Sequence, residues 1–207
     1  MKERRVSEAV IHRLPKYYRY LQELEKRGVE RISSGELSAE MGFNASQIRQ
    51  DFNCFGGFGQ QGYGYQVSVL LKEIGAILGL TRVYNLVIVG AGNIGKALGR
   101  YAGFDKEGYC VKGIFDVNED VIGKRINGIE VQNVAGLPAF LEENDIQIGV
   151  ICTQKESAQE ICDKLVAGGI KAIWNFAPVD VQSSVNVENV HLSDSLYVLS
   201  YRLANNG

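Results

Sequence analysis

The chain has 207 residues and a formal net charge of −2; 45% of its residues are hydrophobic and 22% charged. That balance suits a globular protein of one large domain or two small ones and argues against disorder. No run approaches the roughly 18 apolar residues of a membrane span, and the opening MKERRVSE lacks the apolar core of a secretion signal. Cys54, Cys110, Cys152 and Cys162 are widely spaced without a CxxC pair, and His12 and His191 are the only histidines. Neither a disulfide framework nor a metal site is expected; the cysteines read as small apolar residues in a reducing cytosol. The charge is uneven, +3 over residues 1–82 and −5 over 83–207. Such asymmetry hints that the basic part faces nucleic acid.

Helical signals dominate the first part. A short helix is expected from Ser7 to Arg13. A longer one starts at Pro15, whose missing N–H is harmless in a first turn, and runs to about Arg27 before Gly28. Tyr17, Tyr18, Leu21 and Leu24 recur along it at helical spacing. Ser33 followed by Glu36 is a capping-box pattern, opening a helix to about Met41. Gly42 supplies a turn, and Asn44 caps a helix from Ala45 to about Asn53. Phe55–Tyr65, with five glycines and four aromatics, fits a hairpin. Helix, turn, helix and ribbon together predict a winged helix-turn-helix. A further helix, Val67 to about Leu78, carries Val67, Leu70, Leu71, Ile74 and Ile77 on one face.

From Tyr84 the rhythm becomes alternating strands and helices. Strands are expected at Leu86–Val89, Val111–Phe115, Ile129–Val131, Ile146–Ile151, Ile170–Trp174 and Asn189–Leu192. Helices are expected at Asn93–Tyr101, Leu137–Glu143 and Glu156–Ala167. This alternation predicts an α/β fold with a parallel sheet covered on both faces, joined to the first part near 80–84.

Gly90-Ala91-Gly92-Asn93-Ile94-Gly95 is a GxGxxG between a buried strand and a helix. In that setting the first glycine turns the chain, the second admits a pyrophosphate and the third allows close packing. Asp116 closes the second strand, twenty-four residues beyond Gly92, where a carboxylate accepts adenosine ribose hydroxyls and repels a 2′-phosphate. An NAD(H) site is the reading, with Lys112 and Lys124 near enough in sequence to soften the choice. No catalytic residue is expected, because no proton donor or nucleophile stands in a persuasive context.

On the second helix of the helix-turn-helix, Ser46, Gln47, Arg49 and Gln50 are the candidates for double-stranded DNA, while Ile48 and Phe52 face the core. Arg4, Arg5, Arg13, Lys16 and Arg19 suit contacts to the DNA backbone, and the wing residues Gly59, Gln61 and Gly62 suit a phosphate or minor groove.

The motifs SQIRQDFNCFGGFGQQGYGY, IVGAGNIGKAL, FDVN and NFAPV resemble those of the Rex-type redox-sensing transcriptional repressors of bacteria, over essentially the whole length. The resemblance implies a homodimer with a winged-helix DNA-binding domain at 1–82 and a Rossmann NAD(H)-binding domain at 83–192. A helix in 193–207 would be exchanged between partners. Such proteins hold a near-palindromic operator with NAD⁺ or no cofactor bound and release it on binding NADH. By position, Gly90–Gly95 and Asp116 would hold the adenosine and pyrophosphate half, and Thr153 and Phe176 would line the nicotinamide half. Tyr101 is similar to a tyrosine sensing nicotinamide state, and Arg49 and Gln50 match the pair that contacts DNA. Leu196, Leu199 and Leu203 form one stripe on the helix to be exchanged, an apolar face that itself favours dimerisation.

Three positions depart from the family pattern. Gln50 stands where many members have lysine, Gln61 where many have arginine, and His191 where several carry an aspartate that exchanges partners with an arginine, here Arg19. Two other classes remain open on sequence alone: a small NAD-dependent oxidoreductase, and a nucleotide- or CoA-binding interaction module.

Overall fold

The computed structural model describes residues 6–56, 59–60 and 63–205 and divides into two compact units, Met1–Arg82 and Val83–Gly207. The first unit opens with α1 (Glu8–Ile11) and α2 (Leu14–Lys26). α1 is shorter than expected because the chain turns at His12 and Arg13, and Arg13 occupies the position before the first turn of α2. Tyr17, Leu21 and Leu24 are buried along α2, as their spacing requires. β1 (Arg31–Ile32) is too short to have been visible as a pattern.

α3 (Ser34–Met41) begins with the expected capping box: Ser33 Oγ accepts from the Glu36 amide at 3.1 Å, and the Glu36 carboxylate accepts from the Ser33 amide at 2.7 Å. Gly42 then takes φ 69°, left-handed backbone that favours glycine, and ends the helix. Asn44 accepts from the Ser46 amide at 2.8 Å and starts α4 (Ala45–Asn53). β2 (Gly59–Gln60) and β3 (Gly64–Gln66) are antiparallel, and β1 pairs with β3 to give a three-stranded ribbon. α5 (Val67–Ile77) buries Val67, Leu70, Leu71 and Ile74, but Ile77 lies at its exposed edge. One apolar core, including Tyr17, Ile48, Phe52 and Ile74, joins these helices. Tyr17 meets Phe43 and Phe52 edge-on, at 5.5 and 5.0 Å between centroids.

The second unit contains β4 (Tyr84–Val89), α6 (Asn93–Gly99), α7 (Gly103–Lys106), β5 (Tyr109–Asp116), β6 (Arg125–Ile126) and β7 (Ile129–Asn133). After a short 3₁₀ turn come α8 (Leu137–Glu143), β8 (Ile148–Ile151), α9 (Lys155–Ala167), β9 (Ala172–Asn175), β10 (Asn186–Asn189) and α10 (Leu192–Asn205). The sheet runs β10-β9-β8-β4-β5-β7-β6, parallel except for the terminal β6–β7 hairpin. Leaving β6 aside, this is the doubly wound Rossmann order, with its topological switch between β4 and β8. α7 and β6 were not anticipated. The last strand lies at 186–189 rather than 189–192: parallel pairing of Asn186–Asn189 with β9 sets it, and the apolar Val190 and Leu192 lead into α10 instead. No residue of α10 is buried, and Leu192, Leu196, Leu199 and Leu203 are all at least half exposed.

Candidate nucleotide site and nucleic-acid interface

The switch point puts the carboxyl ends of β4 and β8 side by side. Gly90 leaves β4 with φ 105°, and a Cβ there would lie 2.5 Å from the Cys152 carbonyl oxygen. A Cβ at Gly95 would run into the Gly90 carbonyl, whereas one at Gly92 would meet nothing. Two of the three glycines therefore answer to close packing, and the third leaves open space at the cleft. Gly95→Ala should lower the melting temperature of the Rossmann unit by about 10 °C, since overpacking against rigid backbone costs about 3 kcal/mol. Calorimetry of the variant checks this.

The cleft has a volume of about 330 Å³ and is lined by Gly90, Gly92, Asp116 and Thr153, with Gln154 and Ser157 from the start of α9. Asp116 Oδ2 accepts from the Ala91 amide at 2.5 Å, and Oδ1 accepts from the Asn118 amide at 2.8 Å. The carboxylate thus ties the glycine loop to the end of β5. Thr153 Oγ1 is buried without a hydrogen-bond partner. Buried hydroxyls are normally paired, so a ligand polar group fits this position. The open space at Gly92, the acidic end of β5 and this hydroxyl together fit a dinucleotide. Asn93 is exposed and Ile94 half-buried on the first turn of α6. Gln154 and Ser157 escaped the sequence reading, although the loop after β8 is where an open α/β sheet places ligands.

Phe176 and Tyr101 do not line this cleft. An aromatic run connects them: Tyr101 to Phe104 at 4.9 Å, Phe104 to Trp174 at 6.1 Å, and Trp174 to Phe176 at 4.6 Å between centroids. Tyr101 is 53% exposed at its outer end. The loop carrying Phe176 is held by Asn175, a fully buried amide that donates to the Val179 carbonyl and to Asn189 Oδ1 while accepting from the Ala177 amide. The polar residue in NFAPV is therefore the brace of its own turn. Burial pushes the Cys152 thiol beside the cleft up to about 12, so it keeps its proton.

His191 Nε2 lies 2.8 Å from Asp180 Oδ1, linking the segment after β10 to the loop after β9. The Asp180 hydrogen bond raises the imidazole above its ordinary range, assisted by the charges of Asp180 and Asp194. A raised histidine contributes stability that is present at low pH and lost as pH rises through the shifted value. Amide exchange of residues 180–192, corrected for intrinsic rates, should be faster at about pH 8 than at about pH 6. Asp180→Asn should remove the difference.

In the first unit, Arg49 and Gln50 are exposed on α4 with Ser46, and Gln47 is half-buried. Among the described residues, Arg49 donates to hydroxyls alone, Ser34 Oγ at 3.0 Å and Ser46 Oγ at 3.3 Å, so a stronger acceptor can displace these bonds. Ile48 and Phe52 are buried behind them. Lys16 is exposed, its ammonium 5.6 Å from the Phe43 ring centroid, and Arg19 is exposed. Arg13 has a partner that the sequence did not indicate. Its Nε and Nη2 donate to the two oxygens of Asp51 at 2.7 and 2.8 Å, so that edge of the guanidinium is engaged inside the unit. Gly59 lies in β2; Arg4, Arg5, Gln61 and Gly62 lie outside the described residues.

Two family models match the chain, one described as "Putative DNA-binding protein N-terminus" over residues 5–53 and the other as "CoA binding domain" over 81–179. The redox-sensing transcriptional repressor Rex of Clostridium perfringens is 57% identical over 207 residues, covering 99% of this chain and 98% of the relative. Rex of Thermoanaerobacter pseudethanolicus is 54% identical, covering 98% and 91%. Among solved structures, RSP in complex with β-NAD⁺ and operator DNA matches with a TM-score of 0.92 at 54% identity, covering 97% of this chain and 94% of that one. RSP in complex with β-NADH matches with a TM-score of 0.90 at 51% identity, covering 98% and 96%. A two-unit fold with an exposed recognition helix and a switch-point cleft, shared with these relatives over almost its whole length, places the chain in the Rex family of redox-sensing transcriptional repressors.

Proposed function

We propose that this chain is a DNA-binding transcriptional repressor that senses the NADH/NAD⁺ ratio, holding a near-palindromic operator and releasing it when NADH binds. The observation that carries the reading is the joining, in one chain, of an exposed Arg49–Gln50 recognition face to a cleft that combines the Gly92 opening, Asp116 and an unpartnered Thr153 hydroxyl. Residues 1–82 form the DNA-binding domain and 83–192 the cofactor domain. Residues 193–207 include the helix exchanged in a homodimer: α10 leaves a leucine stripe in water that a second copy would cover. Among the described residues no helix is long and apolar enough to cross a membrane, which accords with a cytoplasmic repressor.

The switch needs a difference in affinity and no chemical turnover. NADH must favour the released arrangement over the DNA-competent one, and DNA must then weaken NADH by the same factor. Oxidised nicotinamide carries a positive charge that the reduced ring lacks; Thr153 stands in the cleft to meet that half, while Phe176 lies outside the cleft lining. The chain is not an enzyme on this reading; the protonated Cys152 beside the cleft suits no nucleophilic role.

The test is binding to the tightest duplex that the protein recovers from a random-sequence library, with saturating NADH, NAD⁺, coenzyme A or no ligand in parallel. Release by NADH alone supports the reading. Release by coenzyme A alone would favour a CoA-responsive module, and binding indifferent to every ligand would discard the sensor.

A further inference from the structure

Among the described residues, Asp51 and Asn175 are the buried polar or charged side chains of a core that is otherwise apolar. Asn175 braces its own loop, but Asp51 reaches across the fold. It sits on the inner side of α4, 2% exposed, and accepts from Arg13 Nε at 2.7 Å, Arg13 Nη2 at 2.8 Å and the Tyr17 hydroxyl at 2.7 Å. Tyr17 is fully buried, and Arg13 is largely so. Burial and the neighbouring carboxylate push the Tyr17 phenol up, so it remains the donor.

We propose that the Arg13–Tyr17–Asp51 cluster is a positioning device that fixes the axial rotation of α4 and so sets discrimination between operator and other DNA. This inference rests on the reading of α4 as the recognition helix. Ile48 and Phe52 hold α4 through packing, Phe52 edge-on against Tyr17, which is less sharply directional than a hydrogen-bonded ion pair. A bidentate guanidinium–carboxylate pair is directional, and it ties α4 to the start of α2 across 38 residues of sequence. Asp51 stands about 100° around the helix from Gln50 and about 200° from Arg49, so anchoring it fixes where both point. Side-chain tips lie about 5–6 Å from a helix axis, so a rotation of about 10° displaces them by about 1 Å. A bidentate contact to a base edge tolerates only about 0.5 Å. Desolvation offsets much of the attraction in a buried ion pair, which makes the pair a poor source of stability and a good source of register.

The experiment replaces the cluster by apolar residues of similar volume, Arg13→Met with Tyr17→Phe and Asp51→Leu, in the full chain. Affinity is measured for the library-selected duplex and for a scrambled duplex of the same composition, alongside the melting temperature and the salt slope. The expected variant melts no lower than the parent by more than a few degrees. It binds scrambled DNA as the parent does, with the same salt slope, and its selected-to-scrambled ratio falls at least tenfold. A ratio within twofold of the parent overturns the proposal. If the triple variant does not fold, Asp51→Asn is read instead, because the amide preserves shape while losing one acceptor and the charge; the same tenfold fall supports the proposal and an unchanged ratio overturns it. A parent that fails to distinguish the two duplexes refutes the reading of α4 itself, a result separate from either outcome for the variants.

Discussion

Arg49→Ala should weaken binding to the selected duplex by about 10–100-fold, because a good bidentate base contact is worth about 1–3 kcal/mol. Scrambled DNA should lose only a few-fold, and the melting temperature should not move. The reason for that separation is local. Arg49 is exposed, and its bonds go to the hydroxyls of Ser34 and Ser46 at the surface, so truncation leaves no buried charge behind. Gln50→Ala removes an exposed neutral side chain and should shift the preferred sequence more than the affinity. Fluorescence anisotropy with both duplexes at one salt concentration checks the affinities, a thermal melt checks the unchanged stability, and library selection with the Gln50 variant checks the shift in preference. An equal loss on both duplexes would assign Arg49 to the phosphate backbone.

Asp116→Ala should weaken NADH by about 30-fold, equivalent to about 2 kcal/mol, through loss of charge-assisted bonds to the ribose hydroxyls. It also removes the acceptor of the Ala91 amide and so slackens the glycine loop. Asp116→Asn separates the two effects. The amide oxygen can still accept from Ala91, with only the Asn118 bond given up, so the glycine loop should hold while the negative charge disappears. NADPH should then gain on NADH relative to the parent, because the 2′-phosphate no longer meets a carboxylate. Calorimetric titration of the three proteins with both cofactors measures this. A preference unchanged in Asp116→Asn would place selectivity elsewhere in the cleft.

What the sequence made legible follows the range of the interactions. The Ser33–Glu36 capping box, the Asn44 cap and the Gly42 turn each involve residues within a few positions of one another, and all appear as expected. The GxGxxG is legible for the same reason: strand, turn and helix are contiguous. The Arg13–Asp51 pair was not legible because the partners are 38 residues apart, and a basic residue near the N-terminus looks the same whether it faces solvent or an internal carboxylate. The last strand was displaced toward Val190 and Leu192 because apolar alternation is a weak signal on an edge. The actual strand, Asn186–Asn189, is fixed by its register with β9 rather than by its own composition. β1 and β6, two residues each, exist only through pairing. The Thr153 hydroxyl and the aromatic run from Tyr101 to Phe176 are tertiary facts. NFAPV marked its loop as special without revealing that Asn175 is the brace.

Reciprocal linkage is the most direct test of the central claim. The affinity of the protein for NADH should be measured with and without a saturating amount of the selected duplex, in one buffer. Coupling between a cofactor cleft and a DNA-binding face predicts that DNA weakens NADH by the factor by which NADH weakens DNA, at least tenfold or about 1.4 kcal/mol. NAD⁺ measured alongside should show a much smaller factor. An NADH affinity that is the same with and without bound DNA would contradict the account, however tightly each ligand binds alone.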